Sequence, residues 1–144
     1  MDRAEKALEL RKKGYNCAQS VVCAFADVVG VDEQVLFRIA EGFGSGMGGQ
    51  QHVCGAVAGA VMVNGLRNSS GQPGNIDSLI KTLGVSRQLT ESFCAQNSTA
   101  ICKDLKGTET GKMIRSCPDC VMDAARLAEK IILKEADASA LSKQ

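Results

Sequence analysis

The chain has no Trp, one Tyr, four Phe and a single His among its 144 residues. A core of stacked rings is therefore excluded. It must be built from Val, Ile, Leu, Ala and Met, with Gly allowing close approach, and small side chains of this kind suit tightly crossed helices. Charge of one sign is also missing: the formal net charge is +1 and no basic run occurs. Nucleic-acid binders carry a clustered cationic footprint, so nucleic acid is not an expected partner. Long apolar runs are absent too. The longest uncharged stretch, Val53 to Val63, falls short of the roughly 20 residues a membrane span needs. The opening Met1-Asp2-Arg3-Ala4-Glu5-Lys6 has no apolar core of a secretory signal, so a cytoplasmic protein is expected. No repeat, low-complexity tract or dividing linker appears, which points to one domain over residues 1–144 with a tail fraying after about 135. Strand-like alternation is missing as well.

What is present runs at helical period almost throughout. A first helix over 2–13 turns Ala4, Ala7 and Leu8 inward. Asn16 is placed to cap a second helix reaching Val29, and Asp32 a third ending near Glu41. A glycine run from Gly42 to Gly49 forms a flexible loop. The helix Val53–Leu66 is apolar on all sides and should be the most buried one. A long helix follows over about Asn75–Gln96, which Gly84 could kink, then a short one near Ser98–Leu105 and a last one over about Pro118–Lys134. The expected fold class is all-α: a single compact bundle of six or seven helices around a buried central helix.

Seven cysteines stand against this plain background. A chain of this length does not need disulfide staples, and an odd number cannot pair completely, so the thiols read as catalytic, redox or metal-binding groups. On the second helix Cys17 shares a side with Val21, Phe25 and Val28, whereas Cys23 falls with Gln19, Ser20 and Asp27 on the polar side. Cys17 also fits an ordinary small core residue. Cys54 opens the central helix, where unpaired N–H groups and the helix dipole favour thiolate. Gly55 and Gly59 give that helix a face onto which another backbone can close. Cys117-Pro118-Asp119-Cys120 is a C-x-x-C at a helix start, with Cys120 placed to resolve a bond made by Cys117. The same cysteines also lie along the apolar line of that helix, and chemistry and packing both remain open. Cys102 faces inward beside Ile101, and the direction of Cys94 is ambiguous. His52 precedes Cys54 by two residues, a spacing that does not bring side chains together on a helix, so it reads as a solvated loop residue. Gly44, Gly46 and Gly49 match G-x-G-x-x-G without the preceding strand a dinucleotide site requires. We read that loop as a collar beside Cys54, gating an anion or substrate.

Several of these residues together carry a resemblance. Asn16-Cys17-Ala18-Gln19, the run Gly42–Gly49, Cys54-Gly55-Ala56 with Gly59, Cys102 after Phe93, and Cys117 with Val121 and Ala124-Ala125 span nearly the whole chain. The chain resembles a bacterial family of cysteine proteins named for a CGAxxG motif and four characteristic cysteines, to which redox activity is ascribed. The resemblance implies a small cytoplasmic helical protein. It places the four family cysteines on Cys17, Cys54, Cys102 and Cys117, leaving Cys23, Cys94 and Cys120 as extras. We expect these four to converge on one site although they lie in four helices. Two functions follow. One is a thiol redox protein cycling between reduced and disulfide states with a redox partner or a small-molecule thiol or disulfide. The other is a four-thiolate site on Cys17, Cys54, Cys102 and Cys117, holding an iron–sulfur cluster or zinc for electron transfer or structure. A structural or partner-binding helical module with cysteines as packing residues is a third.

Overall fold

The computed structural model describes residues 2–133, which form eight helices and, among those residues, no strand beyond an isolated bridge. The chain is all-α. Helix α1 (Arg3–Lys12) is capped by Asp2, whose side chain accepts from the Glu5 N–H at 2.7 Å. It buries Ala4, Ala7 and Leu10; Leu10 takes the inner place expected of Leu8, which stays half exposed. Arg3 forks onto Asp27 at 2.6 and 3.0 Å and ties α1 to the chain beyond α2.

Asn16 and Gln19 form a reciprocal capping box that starts α2 (Cys17–Cys23). The helix expected to reach Val29 breaks at Phe25, where φ −110° and ψ 12° leave the helical region, and restarts as α3 (Ala26–Val29). That break leaves Phe25 fully buried and Val28 half exposed. Every residue of α2 is buried, because α4 (Glu33–Glu41), capped by Asp32, covers the side that carries its polar residues. Cys23 is thus in the core, 1% exposed, and not on a polar face. Its neighbours Gln19 and Ser20 can be buried because their polar atoms are met locally: Gln19 donates to the Phe37 carbonyl at 3.0 Å and Ser20 to that of Asn16 at 2.7 Å.

Helix α5 (Gly55–Asn68) packs against α2, α6 (Ile76–Asn97) and α8 (Cys117–Ala128). A Cβ on Gly59 would lie 2.8 Å from the Ala18 carbonyl oxygen and 2.9 Å from the Val21 Cβ, so only glycine lets α5 close on α2. Ala56, Val57 and Ala60 are buried as expected, but Val61 and its neighbours Ala58 and Met62 are only partly covered. The most completely buried helix is α2, not α5. Helix α6 runs straight through Gly84, and a short α7 (Cys102–Lys106) leads to α8, which continues into a wide helical turn over Glu129–Leu133. Lys134 and the tail expected to fray lie outside the described residues. Among the described residues no helix is long and apolar enough to cross a membrane.

Candidate functional site: a pocket lined by thiols

The four cysteines singled out from sequence occupy the same kind of position in four helices. Cys17, Cys102 and Cys117 are the first residues of α2, α7 and α8, and Cys54 is the N-cap of α5. Each therefore sits where backbone N–H groups lack carbonyl partners. Asn16 and Ser116 do the capping at two of these starts and leave the thiols free: Ser116 accepts from the Asp119 N–H at 3.2 Å. Pro118 is the second helical residue of α8, one place later than its sequence position suggested.

A short backbone clip joins two of the starts. Val53 and Ile101 form an antiparallel bridge, in which the Cys54 N–H donates to the Ala100 carbonyl at 2.6 Å and the Cys102 N–H to that of His52 at 2.9 Å. The glycine run packs against this clip. It is wound into a wide turn over Gly46–Gln50, entered through Ser45 in the left-handed region at φ 51°. Gly46 has φ 56°, and a Cβ there would lie 2.5 Å from that of Cys102, so the turn seals on the thiol only with glycine. Gly55 does the same service on the other side, its missing Cβ 3.2 Å from that of Cys17.

These elements enclose one small pocket lined by Cys17, Cys54, Cys102, Cys117 and Cys120, with Ser45, Gly55, Leu105, Lys106 and Arg115 completing the wall. Four of the five thiols are buried and Cys117 is partly buried. Cys120, which the resemblance leaves as an extra and the C-x-x-C spacing offers as a resolving thiol, is one of the five, because it lies one turn beyond Cys117 on the same helix face. Cys23 and Cys94 are not in the wall. His52 is exposed and takes part through its backbone, its carbonyl accepting from the Cys102 N–H at 2.9 Å and its N–H donating to the Gly46 carbonyl at 3.3 Å.

The sulfurs are grouped in pairs. The Cys17 thiol donates to the Cys117 sulfur, and this bond, reinforced by the Arg11 guanidinium beside it and by Lys106, brings Cys117 from an ordinary value near 9 down to about 6 against the cost of burial. The same contact pushes Cys17 far up, since losing its proton would set two negative sulfurs together. In the second pair the Cys120 thiol donates to the Cys54 sulfur. Together with the Ala56 and Val57 N–H groups at the start of α5, it lowers Cys54, while Cys120 is pushed strongly up. The Cys120 sulfur also lies 4.0 Å from the Arg115 carbonyl. Cys102 belongs to neither pair, and burial raises it. Cys23 is raised to about 12 by burial and by Glu33. Among the described residues no three Cys, His, Asp or Glu side chains converge closely enough to hold a metal ion.

Arg11 was missed in the sequence, where it looked like one more charge on the first helix. Its spacing held the signal: it follows Ala4 by seven and Ala7 by four, on the buried line of α1. Its Nε is buried and, among the described residues, makes no hydrogen bond. Arg115 is held differently, its fork bonded to Asp123 at 2.9 and 3.1 Å.

A family model described as "putative redox-active protein (C_GCAxxG_C_C)" matches residues 15–131. The chain belongs to that family. The matched region contains all five thiols of the pocket and the motif Cys54-Gly55-Ala56-Val57-Ala58-Gly59. Gly55 and Gly59 of that motif are the residues that let α5 close on α2, so the signature is in part a packing requirement that puts Cys54 and Cys17 in one wall. Arg11 lies upstream of the matched region. No curated protein and no solved structure matches the chain.

Proposed function

We propose that the protein is a thiol–disulfide exchange protein in which Cys117 is the attacking thiolate and Cys17 resolves. The reading rests on the Cys17–Cys117 pair: a partly buried thiol drawn down to about 6 by its neighbour Cys17, set beside that buried thiol in the wall of one pocket. Cys117 attacks an external disulfide and expels one thiolate, leaving a mixed disulfide. Its negative charge is thereby consumed, and with it the main cause that holds the proton on Cys17. Cys17 then passes its proton to the leaving group, attacks the Cys117 sulfur and expels the second thiol. Two electrons have moved to the substrate and the protein holds a Cys17–Cys117 disulfide. A cellular dithiol reverses the process, which fits a compartment that keeps thiols reduced, such as the cytoplasm. Cys54 and Cys120 form a second pair able to carry two further electrons.

The test is rapid reaction of the reduced protein with a chromogenic aromatic disulfide as a function of pH. One fast thiol should titrate near pH 6, and Cys117→Ser should remove it. Mass mapping after mild oxidation should give Cys17–Cys117 as the first disulfide. Stoichiometric iron or zinc in protein purified without air would replace this reading with thiolate ligation.

A further inference from the structure

Five thiols share one cavity, and the exchange at Cys117 and Cys17 uses two of them. Two of the others are placed where no external disulfide reaches. The cavity they line holds about 10 Å³, the room of one water molecule. Cys54 is 5% exposed and Cys120 2%, and of the five only Cys117 is not fully buried. The wall between the pairs is closed as well: a Cβ on Gly55, the residue after Cys54, would lie 3.2 Å from the Cβ of Cys17. A sulfur that reacts with Cys54 or Cys120 must therefore come from within the protein. The wall itself supplies it. Cys117 and Cys120 stand one turn apart on α8, with Cys17 and Cys54 brought beside them by the starts of α2 and α5.

We propose that the outer pair hands its disulfide inward: Cys54 attacks Cys117 of the Cys17–Cys117 disulfide, and Cys120 then closes a Cys54–Cys120 disulfide and frees Cys117 again. This relay rests on the exchange reading above and gives the inner pair its part in it. The steps balance without an outside reagent. The Cys54 thiolate bonds to the Cys117 sulfur, the Cys17–Cys117 bond breaks, and Cys17 leaves with the electron pair. Cys17 takes the proton of Cys120. The Cys120 thiolate bonds to the Cys54 sulfur, the Cys54–Cys117 bond breaks, and Cys117 leaves as thiolate. One disulfide has been made for one broken, and one proton has moved from Cys120 to Cys17.

The surroundings of the sulfurs favour this direction. Cys54 owes its lowered value to the Cys120 thiol and to the Ala56 and Val57 N–H groups, none of which the outer disulfide consumes, so a nucleophile stands ready when that disulfide forms. The last group expelled is Cys117, which Cys17, Arg11 and Lys106 make the best leaving group of the wall. The net step also moves one negative charge from buried Cys54 to partly buried Cys117 beside the Arg11 guanidinium, where it costs less desolvation. The chain is thereby returned to a reduced outer pair and reduces a second substrate disulfide before any reductant acts. Reduction of the store runs the same route backward, through Cys117. Cys102 belongs to neither pair and stays a thiol.

The test follows one oxidising equivalent through the reduced full-length chain. The protein receives one equivalent of an aromatic disulfide, is quenched in acid at intervals from milliseconds to minutes, and its disulfides are mapped by mass. Cys17–Cys117 should form first and decay into Cys54–Cys120 at constant total disulfide, while the fast Cys117 thiol returns at the same rate. Cys117→Ser should slow the appearance of Cys54–Cys120 at least about tenfold, and Cys54→Ser should hold the disulfide at Cys17–Cys117, with circular dichroism showing both variants folded. A wild-type Cys17–Cys117 disulfide that persists overturns the relay and leaves exchange at Cys117 standing. Any other first disulfide overturns the relay too, as does Cys54–Cys120 forming at the wild-type rate in Cys117→Ser, which would show substrate reaching the inner pair directly. A chain in which Cys117 shows no fast reaction overturns the exchange reading itself, and the relay with it.

Discussion

The two ends of the molecule are built from the same few residue types and behave in opposite ways. At the thiol end, four helix starts and a glycine turn meet so closely that a methyl group on Gly46 or Gly59 finds no room and one on Gly55 is crowded. At the α5–α6 hairpin end, Gly65 and Gly84 face open space and large aliphatic side chains stand in solvent. Closeness at the first end is what sets sulfur against sulfur, so that in each pair one thiol favours ionisation of the other. The chemistry there is a product of packing.

Breaking the outer thiol pair should have the largest effect. With Cys117→Ser the remaining pocket thiols are all buried, and the rate of reaction with an added disulfide at pH 7 should fall at least about tenfold. Cys120→Ser should spare that rate and halve the number of disulfides formed on full oxidation, counted by mass; loss of the fast phase instead would mean that the two pairs are not separable.

Glycine substitutions sharpen the contrast within one helix. Gly59→Ala should cost about 1–3 kcal/mol in denaturant unfolding, because the Ala18 carbonyl must move aside. Gly65→Ala, six residues along the same helix, should cost nothing or stabilise by up to about 1 kcal/mol. Equal effects at the two sites would remove the distinction between the ends.

A smaller effect comes from pH. An ordinary thiol ionises near 9, whereas folded Cys117 does so near 6, so its contribution to stability is fully present above 9 and is lost as the pH falls through 6. Cys17 and Cys120 are raised, and theirs is present below 9 and lost as the pH climbs further. The reduced protein should therefore gain stability from pH 6 toward 9 and lose it above, and Cys117→Ser should flatten the rising limb. Smallest of all is Cys23→Ser. The hydroxyl can keep the contact to the Glu33 carbonyl, now 3.7 Å from sulfur, so disulfide exchange should be unchanged and stability should fall by about 1 kcal/mol or less.

The all-helical architecture was readable because caps and periodicity agree: Asn16 and Asp32 stand where helices begin, and both cap them. The placement of the cysteines at helix starts was readable for Cys54 and Cys117, implied for Cys17 by the Asn16 cap, and missed for Cys102, because the helix expected from near Ser98 begins only after Ile101. What a single helix cannot disclose is what lies across from it. Cys23 was assigned to a polar side because Gln19 and Ser20 share that side, and nothing in residues 17–23 tells that α4 will cover it. Cys120 was read as a possible resolving thiol for Cys117, and its neighbour Cys54 was missed for a similar reason: Cys54 is far away in sequence, and only the crossing of α5 and α8 unites them. The full apolar circumference of α5 was legible, but not whether this chain alone would enclose it.

The clip between Val53 and Ile101 has a consequence for how the pocket opens. Its two hydrogen bonds are donated by the amides of Cys54 and Cys102 themselves. Any fluctuation that lifts the glycine turn and α5 away from α7 must break these bonds first and expose both amides to solvent. Deuterium uptake at Cys54 and Cys102 therefore clocks the breathing of the pocket, and a rate differing between the reduced and oxidised protein would register the state of the sulfurs through the backbone that carries them.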